Sequence, residues 1–174
     1  MGAVVSVNEA KDIRRNWRTQ GKVVVFTNGV FDLLHVGHVR YLEAASRLGD
    51  ALVLGLNSDR STRQLKGEGR PLTPQAERAE ILCALACVDL VIIFDETTAE
   101  CLVETLKPDV YVKGGDYEGL RSATSSVLPE AKVVERHGGR VEILPFTEGL
   151  STTRLIERVL QVQHAIEDPT GEIA

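Results

Sequence analysis

The segment Val25-Phe26-Thr27-Asn28-Gly29-Val30-Phe31-Asp32-Leu33-Leu34-His35-Val36-Gly37-His38 sets two of the chain's four histidines three residues apart around a glycine. Zinc would need three or four converging ligands, and His35 and His38 provide two, with no cysteine or well-placed carboxylate beside them. Core packing conflicts with the position, where a strand gives way to a helix opened by Gly37. Free backbone N–H groups meet anions at such junctions, so a phosphate cradle is the better reading. Gly37 lets backbone or ligand approach closely, and imidazole N–H groups donate to phosphoryl oxygens without full charge.

Three further segments carry polar groups that ordinary surface or turn roles only partly explain. Ser151-Thr152-Thr153 opens the last helix after Gly149-Leu150; Ser151 can serve as a simple N-cap, but three hydroxyls beside exposed amides also suit nucleotide phosphates. Arg63, Lys66 and Arg70 lie in a Gly-rich stretch, either as solvated charge or as cations for phosphate, with Lys66 the favoured one. Arg78 is expected to cover its own helix surface. Lys113-Gly114-Gly115-Asp116-Tyr117 is a tight turn or a close contact to a base or sugar. Asp32 either fixes a turn or holds a sugar hydroxyl or Mg²⁺.

Something must carry these segments to one place. Short β-branched runs alternate with stretches of helical period, which predicts an α/β, Rossmann-like, doubly wound parallel five-stranded sheet with helices on both faces. The strands are expected at Lys22 to Phe26, Ala51 to Leu56, Leu90 to Phe94, Val110 to Lys113 and Arg140 to Leu144. Helices are expected at Asn8 to Thr19, Gly37 to Leu48, Pro74 to Ala86, Ala99 to Leu106, Pro129 to His137 and Ser151 to Gln163. Thr73 is the expected cap of the third, and Gly49 the expected C-terminal stop of the second. The Ser-rich segment 119–126 reads as a loop or lid. Ligands bind beyond the carboxyl ends of such sheets, so the polar segments form a single expected site.

The bulk numbers narrow the ligand. With 174 residues, 43% hydrophobic and 26% charged, the chain reads as one domain over 1–174, its core about 22–163 and its tail about 165–174 frayed. A net charge of −5 argues against nucleic acid and points to a small molecule. No apolar run approaches membrane length, and Met1-Gly2-Ala3-Val4-Val5-Ser6 fits a myristoylation pattern short enough to recur by chance. Three cysteines without a secretory signal suit a reducing cytoplasm; Cys83 and Cys87 are expected to be buried packing.

His35-Val36-Gly37-His38 together with Ser151-Thr152-Thr153 resembles the cytidylyltransferase-type nucleotidyltransferase superfamily, and within it the adenylyltransferases of heptose 1-phosphate. The resemblance spans roughly Lys22 to Val159. It also rests on Thr27 to Asp32, Asn57-Ser58-Asp59, Leu65-Lys66-Gly67, Arg70-Pro71, Lys113 to Tyr117 and Gly138-Gly139. It implies AMP transfer from ATP to a sugar 1-phosphate with release of pyrophosphate. It further implies Mg²⁺ held mainly through the phosphates rather than by protein ligands, a homodimer, and a separate upstream heptose kinase. The implied catalytic residues are His35, His38 and Lys66. Implied nucleotide contacts are Thr27, Asn28, Gly29, Phe31, Gly37, Lys113, Gly115, Asp116, Ser151, Thr152 and Thr153; implied substrate contacts are Asp32, Asn57, Asp59, Arg63 and Arg70. Glycerol-3-phosphate cytidylyltransferases, which use CTP, share both signatures but typically carry Arg where Phe146 stands here. A nucleotide-binding regulator without turnover is the other class. A phosphate monoester has its second pKa near ~6, so the nucleophile needs no general base, and no Ser-His-Asp relay is evident.

Overall fold

The computed structural model describes residues 1–115, 128–145 and 151–167, apart from the side chain of residue 165. Six parallel strands form one sheet: β1 (Ala3–Val4), β2 (Val24–Gly29), β3 (Ala51–Asn57), β4 (Leu90–Phe94), β5 (Val110–Gly114) and β6 (Arg140–Leu144). Their order is β1-β4-β3-β2-β5-β6. The five expected strands are present. The sixth, β1, corrects the count: two residues pair with Leu90 and Val91, too short a run for alternation to register in sequence.

The helices are α1 (Val7–Thr19), α2 (Val36–Ser46), α3 (Asp59–Lys66), α4 (Gln75–Ala84), α5 (Glu100–Leu106), α6 (Pro129–Arg136) and α7 (Thr152–Glu167). Strand alternation divides the core in two. Val24, Phe26 and Tyr111 pack with Ala10 of α1, Leu102 of α5 and Val133 of α6 on one face. Val25, Leu54 and Val112 pack with Leu42 of α2 and Leu82 of α4 on the other. Central strand β3 is buried along all seven residues, as a sheet covered on both faces requires.

Two expected caps work differently. Pro74, not Thr73, occupies the N-cap of α4. Gly49 is needed for closeness: a Cβ there would lie 2.6 Å from the Val23 carbonyl oxygen where the chain turns into β3. Helix α3 is absent from the helices expected from sequence; it is capped by Ser58, whose Oγ accepts from Ser61 N–H.

At the amino end of the sheet, buried Arg14 of α1 donates to the carbonyls of Leu106 and Lys107 and to the Asp109 carboxylate, 3.0 Å away. Asp109 in turn accepts from Val24 N–H at 2.7 Å. This clamp ties α1, α5, β2 and β5 at the end opposite the polar segments. Strand order reverses between β2 and β5, and a crevice opens beyond their carboxyl ends, as doubly wound sheets predict.

Candidate active site

An open cleft of about 1300 Å³ follows this carboxyl edge. Its lining includes Asn28, Gly29, Phe31, Asp32, His35, Gly37 and His38 from the β2–α2 passage. Lys66 and Arg70 come from the end of α3 and the turn after it, Lys113 from β5, and Ser151, Thr152 and Thr153 from the start of α7. Segments more than 100 residues apart in sequence therefore meet, and the N-termini of α2 and α7 both face the cleft. Each brings first-turn amides and the positive end of a helix dipole.

The histidines are packed against one another. Their ring centroids lie 3.9 Å apart at 28°, and Phe31 tilts against His38 at 5.4 Å. Burial depresses the pKa of both; His38, with His35 adding like-charge repulsion, is lowered to about 4. At neutral pH the pair is uncharged. The backbone N–H of His35 reaches His38 Nδ1 at 3.4 Å, which leaves the His38 proton on Nε2. His35 Nδ1 is buried without a partner.

Backbone strain fixes this arrangement. Phe31 adopts φ +48°, a left-handed conformation unusual for an aromatic residue. Its ring folds back over Gly29, where a Cβ would come within 2.9 Å of it. Gly29, Phe31 and His38 thus form one packed unit.

Asp32 is turned toward the segment after α3. Its Oδ1 accepts from Leu72 and Thr73 N–H at 2.7 and 3.0 Å, and its Oδ2 pairs with Arg70 at 2.8 Å. Burial works to raise its pKa, but the Thr73 amide, Arg70 and the Leu72 amide together hold it below the usual carboxylate range. Asp32 therefore holds the strand-end turn to the Arg70 segment, the first of its two expected roles.

Several expected contacts have other partners. Thr27 is buried, its hydroxyl 2.7 Å from that of Tyr41, which also donates to the Val112 carbonyl; this pins α2 to β2 and β5. Asn57 reaches the cleft, but its Nδ2 donates to Ser61 Oγ and the Glu96 carbonyl. Asp59 pairs with Arg78 at 2.7 Å, and Arg63 is exposed; neither lines the cleft. Gly115 is buried and donates to the Leu144 carbonyl. Asp116, segment 119–126 and Phe146 lie outside the described residues.

Arg78 overturns its sequence reading. It is 1% exposed and donates to the carbonyls of Thr73 and Asn57 at 2.9 Å, to that of Val30, and to Asp59. It knits the ends of β2 and β3 to the start of α4. The cleft residues that sequence alone does not single out include Arg40, Tyr41, Thr97 and Glu130. Tyr41 had a weak signal, one turn after the second histidine; Glu130 had none, because nothing local distinguishes it from any acid in a helix's first turn.

No group of three or more His, Cys, Asp or Glu side chains among the described residues could hold a metal ion. Both Asp32 oxygens are already engaged. Among the described residues, no resident cation site is formed. Among the described residues, no helix is long and apolar enough to cross a membrane.

A cytidylyltransferase-like family model matches residues 26–158. The chain is 55% identical over 150 residues to the bifunctional protein HldE of Syntrophotalea carbinolica, covering 86% of this chain and 29% of that protein. It is 58% identical over 144 residues to HldE of Geobacter metallireducens, covering 83% and 28%. The chain therefore spans less than a third of the length of these curated relatives. Among solved structures, the lipopolysaccharide core biosynthesis protein of Thermoplasma volcanium is 28% identical with a TM-score of 0.57, covering 73% of this chain and 98% of that one. The pantoate-beta-alanine ligase of Francisella tularensis, 13% identical with a TM-score of 0.60 over 99% of this chain and 82% of its own, shares the fold.

Proposed function

The chain belongs to the cytidylyltransferase-like family, and from that premise we propose that it transfers AMP from ATP to D-glycero-β-D-manno-heptose 1-phosphate, giving ADP-heptose and pyrophosphate. The observation that carries this reading is the convergence of two helix N-termini, two neutral stacked histidines and three hydroxyls on one cleft. The likeness to HldE proteins, and to a protein of lipopolysaccharide core biosynthesis, supports a sugar phosphate as acceptor.

The chemistry suits this site. The acceptor phosphate is already ionised at neutral pH, so in-line positioning and charge stabilisation replace a base. His38, with its proton on Nε2, donates to the triphosphate. Lys66 stands at the exposed rim, free to swing onto the reacting phosphates, and Ser151 to Thr153 grip the leaving pyrophosphate. Mg²⁺ accompanies ATP as the counter-ion of its own phosphates. In this reading the enzyme is a cytoplasmic homodimer fed by a separate heptose kinase.

A substrate matrix tests the proposal: ATP and CTP, each with heptose 1-phosphate, other hexose 1-phosphates and glycerol 3-phosphate, with pyrophosphate release as readout. ATP with heptose 1-phosphate is expected to give the highest kcat/KM. Preference for CTP with glycerol 3-phosphate would overturn it, and ATP binding without release for any acceptor would indicate a regulator.

A further inference from the structure

We propose that the cleft wall across the sheet edge from the histidines, formed by Asn28, Thr97, Lys113 and Glu130, is the subsite for the acceptor sugar's hydroxyl groups. Glu130 is its specificity-determining hydrogen-bond acceptor. The inference rests on the reading of the chain as a sugar 1-phosphate adenylyltransferase.

The cleft straddles the sheet. Side chains alternate along β2 and β5, so Asn28 and Lys113 continue the rows of Phe26 and Tyr111 on the α1, α5 and α6 face. His35 and His38 stand on the α2 face. The two walls differ in chemistry. The α2 and α7 wall offers helix N-termini and hydroxyls, which suit polyanions. The opposite wall carries a carboxylate: Glu130 lines the cleft while only 4% exposed. A carboxylate there repels phosphate but accepts from neutral hydroxyls.

Its neighbours complete a mixed donor and acceptor surface. Glu130 Oε1 is fixed by Ala99 N–H at 2.8 Å, and the carboxylate also acts on the Tyr111 hydroxyl beside it. Asn28 Oδ1 accepts from the Tyr111 hydroxyl at 2.9 Å and from Lys113 Nζ at 3.3 Å, which sets its Nδ2 as the donor on the amide's other side. Burial lowers the Lys113 pKa while the charge of Glu130 opposes that shift, so the two groups sense each other across the wall. Thr97 adds an exposed hydroxyl. Such alternation matches the vicinal hydroxyls of a sugar. Of the acceptor-side residues suggested by sequence, Asn57 and Asp59 are held by Ser61 and Arg78 and Asp32 by Arg70, whereas Asn28 and Lys113, expected as nucleotide contacts, are here assigned to the sugar.

Glu130→Gln tests the assignment, because an amide oxygen can keep the Ala99 bond while an NH₂ replaces the second carboxylate oxygen and removes the charge. In steady-state kinetics the KM for heptose 1-phosphate is expected to rise about 10- to 100-fold, the loss typical of a charge-assisted hydrogen bond. The KM for ATP should stay within about twofold, since a uniform packing defect would move both. Equal rises in both constants, or none, would overturn the proposal. Should this variant not fold, Thr97→Val provides the same contrast, with an expected rise of about 2- to 10-fold in the sugar KM alone; an unchanged sugar KM overturns it. Absence of turnover by the parent with every sugar 1-phosphate would sink the functional reading and this subsite with it, before any variant is measured.

Discussion

The imidazoles of His35 and His38 stack with centroids 3.9 Å apart, closer than two positive charges tolerate without a counter-charge between or beside them. With both pKa values depressed and that of His38 about 4, protonation is disfavoured in the folded site. The unfolded chain protonates its histidines below about pH 6.5. The stability these rings contribute is therefore fully present above that pH and is lost as pH falls toward 4. The melting temperature should drop more steeply between pH 6.5 and 4.5 in the parent than in His38→Gln. A triphosphate reverses the penalty, so ATP binding should take up protons, read by calorimetry in buffers of differing ionisation enthalpy. No proton uptake at pH 5 to 6 would mean that the phosphates lie elsewhere.

Gly29→Ala should damage chemistry more than folding. The added methyl would meet the Phe31 ring at 2.9 Å and push it against His38. Overpacking of this kind costs about 1–3 kcal/mol. Because the displaced ring supports a histidine, kcat/KM is expected to fall about 100-fold while the circular dichroism spectrum is kept; parental turnover would show that the histidines do not depend on this support.

Arg78→Lys keeps the charge and loses the fork. One ammonium cannot replace a guanidinium that bonds three carbonyls and a carboxylate at 1% exposure. Leaving several buried acceptors unmade is expected to cost about 3–5 kcal/mol, measured by urea denaturation. A loss under about 1 kcal/mol would show that water takes the place of those bonds.

The elements legible in the sequence were those whose burial is local. β3 and β4 read clearly because continuous apolar runs mean a strand covered on both faces. Helix α3 was missed because its buried positions are Ser61 and Thr62, so no apolar stripe marks its inner side. Arg78 was misjudged because its partners come from residues 30, 57 and 59, and no local pattern announces a convergence made by the fold. The histidines, Lys66, Lys113 and the Ser151 to Thr153 set were legible for a different reason: the sheet's polarity brings every strand's carboxyl end to one edge. Thr97, just past the carboxyl end of β4, follows the same rule, whereas Glu130 arrives from α6, whose packing no local pattern announces.

The Arg14–Asp109 clamp sits at the amino end of the strands, a sheet's length from the cleft. Robustness and turnover are thus assigned to opposite poles of the molecule. Arg14 Nη1 remains buried without a partner, so an engineer seeking a heat-tolerant catalyst has a target that leaves every substrate-facing group untouched.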